Sequence, residues 1–577
     1  MRHRLILIAL PVLAGTALAQ TPFVTARYAE DGPTELDLAN APTFEFVALP
    51  DTQNYSEFYP EIFDSQTRWV VDNRTGRNIR FLSHVGDVVN HGDRVNEWNN
   101  AKAAMNRIHN ANIPYGVTAG NHDITPSGVS GSPYIPQNFL NYFGPQTFAG
   151  KDYYKGASPS GMSSFQTFRG AGKDWLVLNI ECDTPYRELQ WAQGVLAANR
   201  DKAAIITTHR YLQDAEDYTA GVPVVPSGRY PSVWYGIEGT YTPDGIQSNE
   251  FFDDFVRRQK NVFMVHCGHF HEEYRQQSTN VFGNTVHELL HDYQDDPNGG
   301  DGWLRLLKFD TLNNRIDVDS YSTTRNEFRT ADESDFNLNV NFASYRTGAT
   351  QRTAFFQDGV NGYQGTQDTW VSQANTGASY GTSPAIVVDD DVNNSIFNDR
   401  RGQGLLRFDQ MIGNAPGQVP QSSIIESAIL SIHIPDDIDT PLASPNFFVY
   451  LMTRPWDENS TWDSLSGGLS SGSDYAQLLG TFSGDNDPNN DELRILDVAA
   501  AVQLWANGAP NYGFALIPEI ISGNDDGIEI WSSEYATAIL RPSLEVTYRT
   551  VIPSPAGVVA LLCGLPSARR RRTHPNA

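Results

Sequence analysis

The chain has 577 residues and a formal net charge of −27 at pH 7, too long for one ordinary hydrophobic core, so two or three domains are expected. So acidic a chain lacks the basic footprint of a non-specific nucleic-acid binder, and positive charge in its clefts must come from local groups or metal ions. Only three cysteines occur, Cys182, Cys267 and Cys563, which excludes a disulfide scaffold. Cys182 and Cys267 each fall near the end of a predicted strand, and whether they pair stays open because reach is not legible in sequence.

The first residues have the pattern of an export signal. Arg2 and Arg4 precede an apolar run from Leu5 to Ala17, and Ala17-Leu18-Ala19 is a small-residue cleavage site. Residues 1–19 are therefore expected to be removed, leaving Gln20 first. Residues 20–42 read as an irregular, extended lead-in.

The core begins with a strand over 44–49 that ends in Pro50-Asp51-Thr52-Gln53. A helix is predicted over 56–72, with Tyr59, Phe63, Trp69 and Val70 at turn-like spacing. A second strand, 79–85, ends at Gly86-Asp87. A helix over 95–110 puts Val95, Trp98, Met105 and Ile108 on one side, and a third strand leads into Gly120-Asn121-His122-Asp123. This alternation predicts an α/β fold.

Residues 124–170, rich in Gly, Ser, Pro and aromatics, form a long surface excursion. A strand over 175–180 follows, and Thr184-Pro185 opens a helix that runs to Asn199. The strand 203–207 ends at Thr208-His209, and a second excursion covers 211–248. A helix over 249–259 precedes a strand that ends in His266-Cys267-Gly268-His269-Phe270-His271. Strands 285–290 and 303–309 close the domain. No lysine occurs after Lys308, and alternating strands with Gly/Asn/Ser/Asp turns take over. The expected boundaries are 20–345 for the first domain and 350–549 for a second, mainly β domain.

The polar residues at the strand ends form a set: Asp51 and Gln53, Asp87, Asn121 and His122, His209, then His269 and His271. Ligands collect at the carboxyl ends of strands in open α/β sheets. Five such ends bring oxygen and nitrogen donors to one crevice, and a pair of cations there needs a bridging carboxylate, for which Asp87 is the natural residue. Asp123 can hold the His122 imidazole in one orientation. His266, outside the set, reads as a packed histidine. His84 and His91 read as locally hydrogen-bonded, and Asp292-Tyr293-Gln294 as either a strand-end turn or part of the cleft.

The series Asp51-Thr52-Gln53, Gly86-Asp87, Gly120-Asn121-His122-Asp123, Thr208-His209 and Gly268-His269-Phe270-His271 resembles the calcineurin-like metallophosphoesterases. All five blocks occur in order within residues 44–310. The resemblance implies a calcineurin-like β-sandwich core flanked by helices and a pair of divalent metal ions, with Mn, Fe, Zn, Mg and Ca not distinguished. It places Asp51, Gln53, Asp87 and His271 around one ion, and Asp87, Asn121, His209 and His269 around the other. It implies hydrolysis of a phosphate mono- or diester by metal-activated water, with His122 protonating the departing oxygen. Gln53 stands where the family usually has histidine, a weaker neutral donor that suits harder ions. Asn90 stands where purple acid phosphatases have a metal-binding tyrosine, so a ferric tyrosinate is not expected.

Residues 366–548 resemble the DNRLRE domain, a jelly-roll-like β-sandwich of secreted bacterial proteins. The resemblance rests on Asp368-Thr369-Trp370, Gly404-Leu405-Leu406-Arg407-Phe408, Trp456-Asp457-Glu458-Asn459-Ser460-Thr461-Trp462 and Asn511-Tyr512-Gly513-Phe514. Related modules bind polysaccharide, so a cell-surface polysaccharide is a possible partner, and Trp456 and Trp462 read as core residues. Residues 553–577, with Pro-Ser-Pro, a short apolar run and arginines at 569–572, resemble PEP-CTERM sorting signals. An exported protein, secreted or envelope-associated in a Gram-negative-type bacterium, is expected, touching membrane only through its signal and tail. The competing expectation is a surface polysaccharide-binding or adhesion protein with a weakly active phosphoesterase core.

Overall fold

Two mixed β-sheets face each other in the first domain. In the computed structural model, which describes residues 34–129, 131–214, 227–229, 240–389, 401–435, 446–484, 492–519 and 527–550, the first sheet runs edge to edge Glu327–Phe328, Arg315–Ser322, Trp303–Asp310, Thr43–Leu49, Ile79–His84, Tyr115–Val117. The second runs Glu272–Thr279, Thr285–Asp292, Val262–Gly268, Ala203–Arg210, Lys173–Asn179, Ser164–Gly170, Tyr154–Ala157. The expected export signal, the tail at 553–577 and much of the 211–248 excursion lie outside the described residues.

The central strands are buried almost end to end, as mainly apolar strands are when both sheet faces are covered. Between the sheets lie Phe44, Phe46, Phe81, Trp175, Phe263 and Phe309, with the Phe44 and Phe309 rings stacked 4.6 Å apart. Helices Pro60–Asn73 and Val95–Asn110 cover the outer face of the first sheet through Phe63, Val70, Trp98, Met105 and Ile108. Helix Tyr186–Ala198 covers the second through Leu189, Ala192 and Leu196.

Four details differ from the sequence expectations. The lead-in contains a helix, Glu35–Asn40, because Thr34 and Asp37 form a reciprocal capping box. The 124–170 excursion is partly structural, since it supplies two strands of the second sheet and a helix, Gln137–Phe143, whose Phe139 and Phe143 pack on Trp98. The expected helix at 249–259 is a short α turn, a π turn at Phe251–Phe255 and a 3-10 turn at Val256–Arg258. The strand Glu272–Thr279 follows the histidine block directly and pairs antiparallel with Thr285–Asp292.

Among its described residues the second domain is β apart from the helix Ala499–Ala506 and a 3-10 turn at Ala538–Leu540. A four-stranded and a five-stranded antiparallel sheet enclose one core of Leu406, Phe408, Leu430, Phe447, Phe514 and Leu544. Trp456 and Trp462 are 6% and 8% exposed and pack on the outer side of the five-stranded sheet, so neither is a sugar platform. The domains meet across a buried ion pair, in which Arg200 Nη2 donates to Glu545 Oε2 at 2.6 Å. Arg258 Nη1 donates to the Ile539 carbonyl at 2.8 Å across the same boundary. Cys182 and Cys267 are both free and buried in separate clusters.

Candidate metal centre

Parallel pairing puts the ligand-bearing strand ends on one side. Thr43–Leu49, Ile79–His84 and Tyr115–Val117 run parallel, as do Lys173–Asn179, Ala203–Arg210, Val262–Gly268 and Thr285–Asp292. Their carboxyl ends carry Asp51 and Gln53, Asp87, Asn121 and His122 from one sheet, and His209, His269 and His271 from the other.

Three glycines make the convergence possible. A Cβ at Gly86 would lie 2.7 Å from His209 Nδ1, one at Gly120 2.1 Å from Asp87 Oδ1, and one at Gly268 2.3 Å from Asp51 Oδ1. The glycine of each block thus vacates the volume that a ligand of another block fills. That is the steric reason for Gly-Asp, Gly-Asn and Gly-His at these strand ends. Asp87 and His269 themselves take left-handed backbones, with φ of 48° and 76°, a conformation that collects at functional sites in non-glycine residues.

Four donor atoms meet closely. His209 Nε2 lies 3.2 Å from Asp87 Oδ2 and 2.9 Å from Asn121 Oδ1. His269 Nδ1 lies 2.9 Å from Asn121 Oδ1 and 3.2 Å from His209 Nε2. His209 Nδ1 donates to the Val85 carbonyl at 3.0 Å, which leaves Nε2 with its lone pair toward the cluster. A carboxylate, an amide oxygen and two imidazoles at this spacing fit a divalent cation. Burial alone would keep Asp87 neutral, but the charges of His209 and His122 outweigh it and hold the carboxyl well below its usual range. Burial, then the charge on His209, pushes His269 well down, which favours the neutral imidazole that binds metal.

The other expected ligands surround this cluster. Asp51 is buried, its Oδ2 accepts from the His269 amide at 3.0 Å, and its Oδ1 has no hydrogen-bond partner. Gln53 donates its Nε2 to Gln294 Oε1, and its own Oε1 is buried and unpartnered. His271 Nδ1 donates to Asp295 Oδ2 at 2.6 Å while its Nε2 faces the Gln294 amide. Asp292 is fully buried, with its carboxyl against that of Asp51. Burial raises both carboxyls, and the charges of Asp292 and Asp87 raise Asp51 further. The segment Asp292-Tyr293-Gln294 is therefore divided: Tyr293 turns to Glu273 at 2.7 Å, and Gln294 lines the cleft.

His122 faces the same cleft, of about 340 Å³, but Asp123 does not orient it. The Asp123 carboxylate instead accepts from the backbone amides of Gly120, Val88 and Val89 at 2.9, 3.2 and 3.1 Å. It clamps two ligand-bearing loops together, and its place one residue after His122 points it inward. The partner of His122 Nδ1 is the Asn90 carbonyl oxygen at 2.7 Å. Asn90 turns its own side chain to Glu57, away from the ligands.

His84 is buried, and its Nε2 lies 2.9 Å from Thr52 Oγ1. His266 stacks on Phe46 at 5.4 Å. His91 joins Glu57 and Glu97 in a second tight group, but Arg94 lies 2.9 Å from Glu57 Oε1, and two backbone amides fill Glu97 Oε2. That group is a hydrogen-bond knot with its own cation. Two cleft residues were not singled out from sequence. Gly128 lies against His122, where a Cβ would be 2.1 Å from Nε2. Tyr241 meets the His269 ring edge to face at 6.1 Å, and Arg210, held by Asp183 through two 2.8 Å hydrogen bonds, covers its ring. Both lie in excursions without a motif; only the abundance of glycine and aromatics there hinted at them.

The family model for calcineurin-like phosphoesterases matches residues 45–296, the span that contains every one of these candidate residues. The first domain thus has a calcineurin-like α/β core. Residues 361–548 match carbohydrate-binding module family 96, over the region whose motifs resemble DNRLRE domains. The chain aligns with YvnB, an uncharacterized protein of Bacillus subtilis (strain 168), at 32% identity over 285 residues, spanning 48% of this chain but 20% of that protein. Among solved structures, a purple acid phosphatase from yellow lupin (Lupinus luteus) seeds is similar at 12% identity and TM-score 0.33, covering 53% of this chain and 55% of its own. GAP50, the anchor in the inner membrane complex of Plasmodium, is similar at 12% identity and TM-score 0.30, covering 52% of this chain and 92% of its own.

Proposed function

We propose that the protein is an exported metal-dependent phosphoesterase that hydrolyses phosphate mono- or diesters close to a polysaccharide. Asp87, Asn121, His209 and His269 carry this function, because four strand ends aim four donor atoms at one point with spacings of 2.9–3.2 Å. Two divalent cations, held there and beside Asp51, Gln53 and His271, would activate water and neutralise phosphoryl charge. The chain's own groups supply the rest. Asp87 is the carboxylate shared by the two sets. His122 has Nδ1 committed to Asn90, so Nε2 is the atom that carries a proton to the departing oxygen. Tyr241 and Phe270 line the cleft beside it.

The carbohydrate-binding module would hold the enzyme against its polysaccharide, and the signal pattern at 1–19 with the sorting-type tail at 553–577 supports export. Among the described residues no helix is long and apolar enough to cross a membrane. The decisive experiment strips the mature chain of metal, restores Mn, Fe, Zn, Mg or Ca singly, and measures hydrolysis of mono- and diesters. At least one ion should restore turnover; failure of every ion on every ester refutes the function.

A second reading, a surface polysaccharide-binding protein with a weakly active core, is favoured by the module match over 361–548. Glycan binding that persists beside negligible hydrolysis in the metal-loaded wild type selects it.

A further inference from the structure

We propose that Asp292 and Gln294 belong to the first cation site, alongside Asp51, Gln53 and His271, and that they compensate there for the missing imidazole at position 53. This rests on the metallophosphoesterase reading and adds residues outside the five sequence blocks.

Three oxygens carry the inference. Asp51 Oδ1, Gln53 Oε1 and Asp292 Oδ2 are all buried, and none has a hydrogen-bond partner. Their residues are 1%, 6% and 0% exposed. A buried acceptor left unpaired is costly, and more so when charged. The carboxyls of Asp51 and Asp292 also lie against each other. Two buried carboxylates in contact repel strongly unless a proton or a cation lies with them. Gly268 lets the Asp51 carboxyl reach this point, since a Cβ there would sit 2.3 Å from Asp51 Oδ1. Asp292 is held rigidly for such a role, because its Oδ1 accepts from the Gln294 amide at 3.0 Å.

Gln294 completes the ring from the same segment. Its side-chain Oε1 accepts from Gln53 Nε2 and its Nε2 faces His271 Nε2, so one amide joins two expected ligands. His271 Nδ1–H is committed to Asp295, which leaves Nε2 as its lone-pair atom on the Gln294 side. A site with a glutamine in place of histidine loses a strong nitrogen donor. Asp292 returns an anionic oxygen and Gln294 offers a further neutral one. The resulting set is rich in oxygen, which favours Mg²⁺ or Mn²⁺ over softer ions.

The test is cation binding rather than turnover. The stripped full-length protein is dialysed against graded Mn²⁺, and bound metal is counted for wild type, Asp292→Asn and Gln294→Ala. Wild type should bind two ions. Asp292→Asn should weaken one of them by about 10–100-fold and leave the other unchanged, with Gln294→Ala weakening the same ion less. If both variants bind two ions with wild-type affinity, the inference is overturned while the phosphoesterase reading stands. If wild type binds no ion, both fall. Thermal unfolding is recorded in parallel; should Asp292→Asn not fold, an unchanged Gln294→Ala overturns the inference by itself.

Discussion

His122 Nδ1 donates to the carbonyl oxygen of Asn90 at 2.7 Å. A carbonyl only accepts, so this bond fixes the protonated nitrogen and turns Nε2 toward the cleft. The Asn90 amide is itself anchored by Glu97 Oε2 at 2.9 Å, so the histidine is positioned through the backbone rather than by Asp123. His122→Asn should keep both cations and slow turnover by about 10²–10⁴-fold. The loss should shrink for nitrophenyl esters, whose leaving group needs little protonation. Metal counting beside rates on good and poor leaving groups checks this; equal slowing of both classes removes the general-acid role.

Asp87 has the opposite signature. Its Oδ2 lies 3.2 Å from His209 Nε2 and its Oδ1 accepts from the His122 amide at 2.9 Å. Asp87→Asn removes the one charge the two ligand sets share. Bound metal and activity should fall together, as read by metal analysis of the purified variant. Full metal content with lost activity would falsify the bridging role.

Gly128 keeps His122 accessible. Its φ is +65°, and an added Cβ would lie 2.1 Å from Nε2. Gly128→Ala should leave cation binding intact and reduce kcat on the order of 10²-fold, the cost of a reacting group misplaced by about 1 Å. Unchanged kcat would mean that the loop yields and Nε2 is reached from another side.

The domain boundary contains the buried pair Arg200–Glu545, whose side chains are 4% and 7% exposed. Glu545→Ala strands the guanidinium, a change that costs about 3–5 kcal/mol when one partner of a buried pair is removed. Denaturant unfolding should show that loss, and Arg200→Met with Glu545→Leu should recover part of it. A loss below about 1 kcal/mol, the range of an exposed pair, would show that water reaches the boundary.

Glu181 predicts a pH effect away from the metal site. Burial, then the charge of Glu188, pushes its carboxyl up to about 8. The folded state therefore holds it neutral, whereas the unfolded chain ionises it near the ordinary value of about 4.3. Its contribution to stability is complete below that value and is lost as pH rises toward about 8. Glu181→Gln should flatten this part of the stability–pH curve and raise stability at the alkaline end, measured by thermal unfolding across the range. An unchanged curve would place the dependence on other groups.

The candidate ligands were legible because each sits at a strand end, three of those ends marked by glycine, and both the strands and the glycines are local signals. Asp51, Asp87, Asn121, His209 and His269 converge as their order along the chain implied. Asp123 does not orient His122 as the sequence suggests, because adjacency in sequence does not give the direction of a side chain at a turn. The Asn90 carbonyl that holds His122 leaves no mark in sequence, where that position shows only that a tyrosine is absent. The place of Gln294, turn or cleft, is not legible in sequence because its neighbours, Gln53 and His271, lie far from it along the chain.

By itself the sequence determined the alternating α/β domain, the all-β domain after it, and which residue types stand at the strand ends. Those follow from periodicity, apolar runs and turn residues, which act over a few positions. Only the tertiary structure decided that Gly86, Gly120 and Gly268 each clear space for another block's ligand, that Asp292 closes on Asp51, and that Arg200 is buried against Glu545. Each of these depends on sheet order and register, which bring together side chains that no local pattern relates.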